Sequence, residues 1–126
     1  MAETANMARV RAFAAHWAKK DADAAIAFFD PDCIYHNLPE PPIYGTTAIK
    51  AYFANVFANV QAIDILIRSI AEDAAGAVLT ERTDRFLIAG RKLDVPVMGI
   101  FEFRQGRIFN WREYYDPRPM QAPAQR

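Results

Sequence analysis

Apolar residues recur along the first part of the chain at helical spacing. Val10, Phe13, Ala14 and Trp17 fall on one stripe, so the first segment is predicted to be an amphipathic helix. Lys19, Lys20 and Asp21 interrupt that stripe. A second, short helix is predicted from about Asp23 to Phe29, ended by Asp30-Pro31, because a residue before proline avoids the helical region. Residues 32–44 contain Pro39, Pro41 and Pro42, which predicts a structured loop. A third helix is expected from Gly45-Thr46, with Thr46 capping its first turn and Ile49, Phe53, Val56 and Phe57 on one face.

From Gln61 onward the pattern turns to strands. Turn pairs recur at Ala75-Gly76, Ala89-Gly90 and Gln105-Gly106, the last well suited to a two-residue hairpin. Strands are predicted over roughly 62–72, 77–88, 92–104 and 107–116. Three helices followed by a four-stranded antiparallel meander is an α+β order. Strands of this length span about 33 Å and would twist and curl. Helices on the concave side would then enclose a pocket. The tail after Pro117 is rich in proline and alanine and is expected to be loose.

Composition narrows the function classes. The 126 residues fit a single domain, 1–126. Fifteen basic and fifteen acidic residues cancel, so no broad field favours nucleic acid or an anionic membrane. Cys33 is the single cysteine, which rules out an internal disulfide and fits a reducing cytoplasm. Residues 1–17 lack the apolar run of a secretion signal. Aromatic residues make up 13% of the chain, enough to line a core and a pocket with rings.

A few residues stand out as candidate chemistry. In a strand over 77–88, Val78, Thr80, Arg82, Asp84 and Phe86 share one face. If that face is inward, two charges are buried and need partners; if outward, they form a solvated pair. Asp116 ends the last strand before Pro117, either approaching that pair across a curled sheet or only starting a turn. Tyr35 and Asn37 are two apart and point the same way in an extended segment. A phenol and an amide so placed can hold a water, or Asn37 can simply tie down its own loop. His36 would point away, and His16 lies on the first helix. Two histidines so placed with one cysteine make no metal-ligand pattern. The sequence has no phosphate-binding glycine loop and no G-x-S-x-G elbow.

Several segments, taken in order, resemble the limonene-1,2-epoxide hydrolase family. They are Tyr35-His36-Asn37-Leu38-Pro39 with Pro42 and Gly45, Thr80-Glu81-Arg82-Thr83-Asp84, Val95-Pro96-Val97-Met98-Gly99-Ile100-Phe101-Glu102, Gly106-Arg107-Ile108, and Trp111-Arg112-Glu113-Tyr114-Tyr115-Asp116. The resemblance implies a cone-shaped α+β fold of the NTF2-like, SnoaL-like kind. It implies five working positions at Tyr35, Asn37, Arg82, Asp84 and Asp116. His36 and Glu113 depart from the family pattern, which has glutamine and aspartate there, and neither belongs to those five.

The implied reaction opens an apolar epoxide with water to a vicinal diol, with no cofactor and no metal. Asp84 would be the general acid and Asp116 the general base. Arg82 would bond both, and Tyr35, Asn37 and Asp116 would hold the water. Two close carboxylates resist ionising together, so one keeps a proton. The resemblance, with apolar residues on the outer face of the later strands, also implies a homodimer packed through that face. Two other readings fit this fold: an isomerase or cyclase of the ketosteroid isomerase or polyketide cyclase kind, and a non-catalytic binder of apolar ligands. An arginine between two aspartates favours the hydrolase.

Overall fold

The computed structural model describes residues 2–121. Two helices come first, α1 (Ala5–Trp17) and α2 (Ala22–Ile26), followed by β1 (Phe29–Leu38) and a two-residue β2 (Ile43–Tyr44). Then come α3 (Thr46–Asn59), β3 (Ala62–Glu72), β4 (Val78–Ile88), β5 (Arg91–Arg104), β6 (Arg107–Tyr115) and a single-turn α4 (Arg118–Gln121). The six strands form one curved sheet in the order β2-β1-β6-β5-β4-β3, and the helices pack on it. The α+β class and the four-stranded meander match the expectation, but β1 and β2 come before the third helix, and α2 stops at Ile26 rather than Phe29, which opens β1. No helix among the described residues is long and apolar enough to cross a membrane.

The meander follows the turn signals closely. Ala89-Gly90 and Gln105-Gly106 are both two-residue hairpin turns with both residues at positive φ, as a type I′ turn requires. The region expected to be a structured loop differs. Its first half is β1, which pairs in parallel with β6 (Tyr35 beside Trp111, Asn37 beside Glu113). Prolines 39, 41 and 42 lie beyond that strand and end it. Parallel pairing joins segments some 75 residues apart, as between Asn37 and Glu113, and leaves no local signature. The tail also departs from expectation: residues 118–121 form α4, while 122–126 lie outside the described residues.

The start of α3 corrects a second expectation. Gly45, not Thr46, is the N-cap, and no side chain caps the turn. Gly45 has φ 83° and ψ 159°, a region essentially closed to residues with a β-carbon. Its carbonyl accepts from the Ile49 amide at 3.1 Å.

The core is largely aromatic. The α1 stripe of Val10, Phe13, Ala14 and Trp17 is buried, as are Ile49, Phe53 and Phe57 of α3. Trp111 of β6 stands at the centre. It stacks on Tyr35 (4.3 Å between centroids) and Phe101 (5.2 Å), and meets Phe13 edge-on at 5.1 Å. These offset and edge contacts are the favoured aromatic geometries. The indole therefore links α1, β1 and β5, and its own N–H is left pointing along β6 toward the next inward residue.

Candidate active site

That next residue is Glu113. Side chains alternate along β6, so Trp111, Glu113 and Tyr115 face inward while Arg112 and Tyr114 face out. On β4 the same alternation turns Thr80, Arg82 and Asp84 inward, and all three are buried. The outward reading of Arg82 and Asp84 is therefore overturned. Between β4 and β6 runs β5, where Gly99 pairs with both Thr80 and Glu113. Having no side chain, Gly99 lets Arg82 reach across the strand.

Arg82 spends every N–H it has on this crossing. Nε donates to Asp84 Oδ1 at 3.1 Å and Nη2 to Asp84 Oδ2 at 2.8 Å. Nη1 donates to Glu113 Oε2 at 2.6 Å and to Thr80 Oγ1 at 3.4 Å, and Nη2 also donates to Glu113 Oε1. A guanidinium has five N–H groups, and five acceptors surround this one. Trp111 Nε1 adds a bond to Glu113 Oε2 at 2.8 Å. Two fork-shaped carboxylate pairings on one planar cation fix both acids in place, which a lysine could not do.

The electrostatics follow from burial. Desolvation pulls Arg82 down, but the charges of Glu113 and Asp84 raise it further, so the guanidinium stays protonated. Burial pushes the Glu113 carboxyl above the ordinary glutamate range, against the pull of Arg82, and the nearby Asp84 charge adds to the rise. One cation with two carboxylates would leave a net buried negative charge. A single proton shared by the acids makes the triad neutral, the form that burial favours.

Asp116 does not take part. It lies past the end of β6, out of phase with the inward residues, and its side chain is 47% exposed. Arg118 holds it through Nη2 at 2.7 Å and through its backbone amide at 3.0 Å, and that pairing lowers its carboxyl below the usual range. The expectation that Asp116 would meet Arg82 is therefore wrong, and the second carboxylate on Arg82 is Glu113. The missed signal was the two-residue period itself: once Trp111 is inward, Glu113 is too.

Tyr35 and Asn37 do reach the same cavity, of about 290 Å³, with Arg82, Asp84 and Glu113 in its lining. Tyr35 is fully buried, and desolvation raises its phenol well above the usual range. Asn37 Nδ2 donates to the hydroxyls of Tyr52 (3.3 Å) and Tyr115 (3.2 Å). The latter two residues escaped the sequence reading because a tyrosine on an apolar helix face, or beside Trp111, reads as core. Much of the remaining lining is apolar, including Val10 and Phe13 of α1 and Ile65, Phe86 and Val95 of the sheet.

Residues 4–126 match the limonene-1,2-epoxide hydrolase catalytic domain. This chain belongs to the limonene-1,2-epoxide hydrolase family. It is 34% identical over 107 residues to epoxide hydrolase EphG of Mycobacterium tuberculosis, covering 85% of this chain and 70% of that protein. A solved M. tuberculosis LEH-like epoxide hydrolase superposes with a TM-score of 0.81 at 31% identity, over 94% of this chain and 87% of the other. A putative SnoaL-like polyketide cyclase from Shewanella denitrificans superposes at a TM-score of 0.86 but 12% identity, covering 98% of each chain, and speaks for the fold alone.

Glu113 stands where the family resemblance implied aspartate, and its carboxylate occupies the space over Gly99. A β-carbon on residue 99 would overlap Glu113 Oε2 and crowd Arg82 Nη1. Gly99→Ala is expected to lose about 1–3 kcal/mol of stability, as overpacked cores do, and to lower turnover of any epoxide substrate at least about tenfold by displacing the acid, a barrier change of about 1.4 kcal/mol. Urea denaturation and steady-state kinetics check this; wild-type values for both would show that Gly99 makes no room for the triad.

Proposed function

We propose that this chain hydrolyses a largely apolar epoxide to a vicinal diol in one step, with Asp84 as general acid and Glu113 as general base. The observation that carries the reading is the buried, doubly forked Asp84–Arg82–Glu113 triad facing a largely apolar cavity. Because all five N–H groups of Arg82 are taken, it has none for the oxirane oxygen. Its role is to fix the acids, and the proton for the leaving oxygen comes from Asp84.

Glu113 is the better placed base. Its Oε2 already accepts two bonds and Oε1 only one, which leaves Oε1 a free lone pair for a proton from water. Asn37 lies beside Glu113 across the β1–β6 pair and has both amide hydrogens committed to phenols, so its carbonyl remains to accept from the same water. A water that donates to Glu113 Oε1 and Asn37 Oδ1 keeps a lone pair free for the ring carbon. As its oxygen bonds to carbon, the carbon–oxygen bond of the ring breaks. The water proton passes to Glu113, and the Asp84 proton passes to the departing oxygen. A proton transfer from Glu113 back to Asp84 then resets the pair.

We propose further that two copies pair through the outer sheet face. Leu66, Leu79, Met98 and Tyr114 are exposed there, and Met98 is the register partner of Tyr114. Sedimentation at micromolar concentration should show a dimer that Met98→Glu weakens; a wild-type monomer would rule the pairing out.

Substitution at the three acids separates the base assignments. Asp84→Asn and Glu113→Gln should each lower kcat by about 10²–10⁴ while keeping the native circular dichroism. The double variant should be little worse than either, since the two act in one step. Asp116→Asn should stay within about tenfold of wild type. Full activity in Glu113→Gln, or its loss in Asp116→Asn, would return the base role to Asp116.

The pH profile of kcat/KM should fall on the acid side. There Glu113 is protonated and cannot accept a proton from water. Since burial raises Glu113, the acid limb should lie above the ordinary glutamate value of about 4.3. A profile flat down to about pH 4 would contradict Glu113 as the base.

A further inference from the structure

In the chemistry above the phenols of Tyr52 and Tyr115 only orient Asn37 and touch no reacting atom. Both line the cavity that also holds the buried triad. Both oxygens act as acceptors toward the protein. Each takes a bond from Asn37 Nδ2. A phenol that only accepts still has one O–H to donate. Burial holds both phenols above their ordinary range, so both remain protonated donors. Tyr52 comes from α3 and Tyr115 from β6, and the two oxygens meet at Asn37 of β1, in a cavity also lined by Ile65, Phe86 and Val95.

We infer that Tyr52 and Tyr115 are substrate-binding donors, and that the pocket takes an epoxide bearing a neutral oxygen acceptor (a hydroxyl, ether or carbonyl) beside the ring carbon that water attacks. This rests on the epoxide hydrolase reading of the same site and narrows its substrate class. The position follows from Asn37: the group that contacts the water is the one that bonds both phenols, so their protons meet the part of the substrate next to the attacked carbon. The acceptor is neutral because the other charged groups facing the cavity are the acids Glu40, Asp84 and Glu113, while Arg82 has no N–H to spare. A carboxylate or phosphate would meet repulsion there. A wholly hydrocarbon epoxide would leave two buried donors unpaired, which is costly.

The test compares cyclohexene oxide with its counterpart carrying a hydroxyl on the neighbouring ring carbon. For the wild type, kcat/KM should favour the hydroxylated epoxide by about tenfold or more, the worth of one well-made buried hydrogen bond. Tyr52→Phe and Tyr115→Phe should each shrink that ratio severalfold, and the double variant should bring it close to one. The ratio is the readout because a merely structural loss lowers both substrates together. An equal loss on both, or a ratio untouched by either variant, overturns the inference. So does a wild type that turns over both without preference, which decides the matter even if a variant does not fold. A wild type that turns over neither epoxide overturns the hydrolase reading, and this inference with it.

Discussion

Arg82 is the constraint on which the rest of the site depends. A guanidinium this deeply buried is tolerable only with its charge matched and its hydrogens used, and here both hold: two carboxylates and one hydroxyl absorb all five N–H groups. Much of the local sequence reads as a consequence. Gly99 must lack a side chain so that Arg82 and Glu113 can meet over β5. Trp111 must present its N–H along β6 to complete the shell of Glu113, which sets how the indole lies among Phe13, Tyr35 and Phe101. The aromatic core and the polar centre are thus one construction, joined at a single tryptophan.

The fold and the site were legible to different degrees, for physical reasons. Hairpins are local, so Ala89-Gly90 and Gln105-Gly106 announce the meander almost to the residue. The helical stripe of Val10, Phe13, Ala14 and Trp17 is equally local. The parallel strand around Tyr35 is not, since its partner lies at the far end of the chain, and it passed for a loop. At the site, Tyr35, Asn37, Arg82 and Asp84 were expected in one pocket and are found there. Asp116 was expected and is absent, displaced by a residue only three positions earlier. An Asp before proline drew the eye, while strand parity, a stricter constraint, pointed to Glu113. Tyr52 and Tyr115 were invisible because nothing in a sequence distinguishes a phenol that packs from one that also donates.

The same fold carries other chemistries, as the likeness to a putative polyketide cyclase at 12% identity illustrates. On the proposed mechanism, what directs this chain toward water and an epoxide is the pairing of two fixed carboxylates on one buried cation. An isomerase of this fold would need a lone carboxylate facing neutral donors. Here the neutral donors lie to one side, on the phenols, and two carboxylates are forked onto one guanidinium.

The central claim is that Asp84 and Glu113 only move protons while water itself attacks the ring. A single turnover in oxygen-18 water, with enzyme in excess over epoxide, tests it most directly. Direct attack predicts one heavy oxygen in the diol from the first turnover and none in the peptides that carry Asp84 and Glu113. An unlabelled first-turnover diol, followed by heavy oxygen in either carboxylate after further turnovers, would mean that an ester forms on the enzyme and would contradict the account.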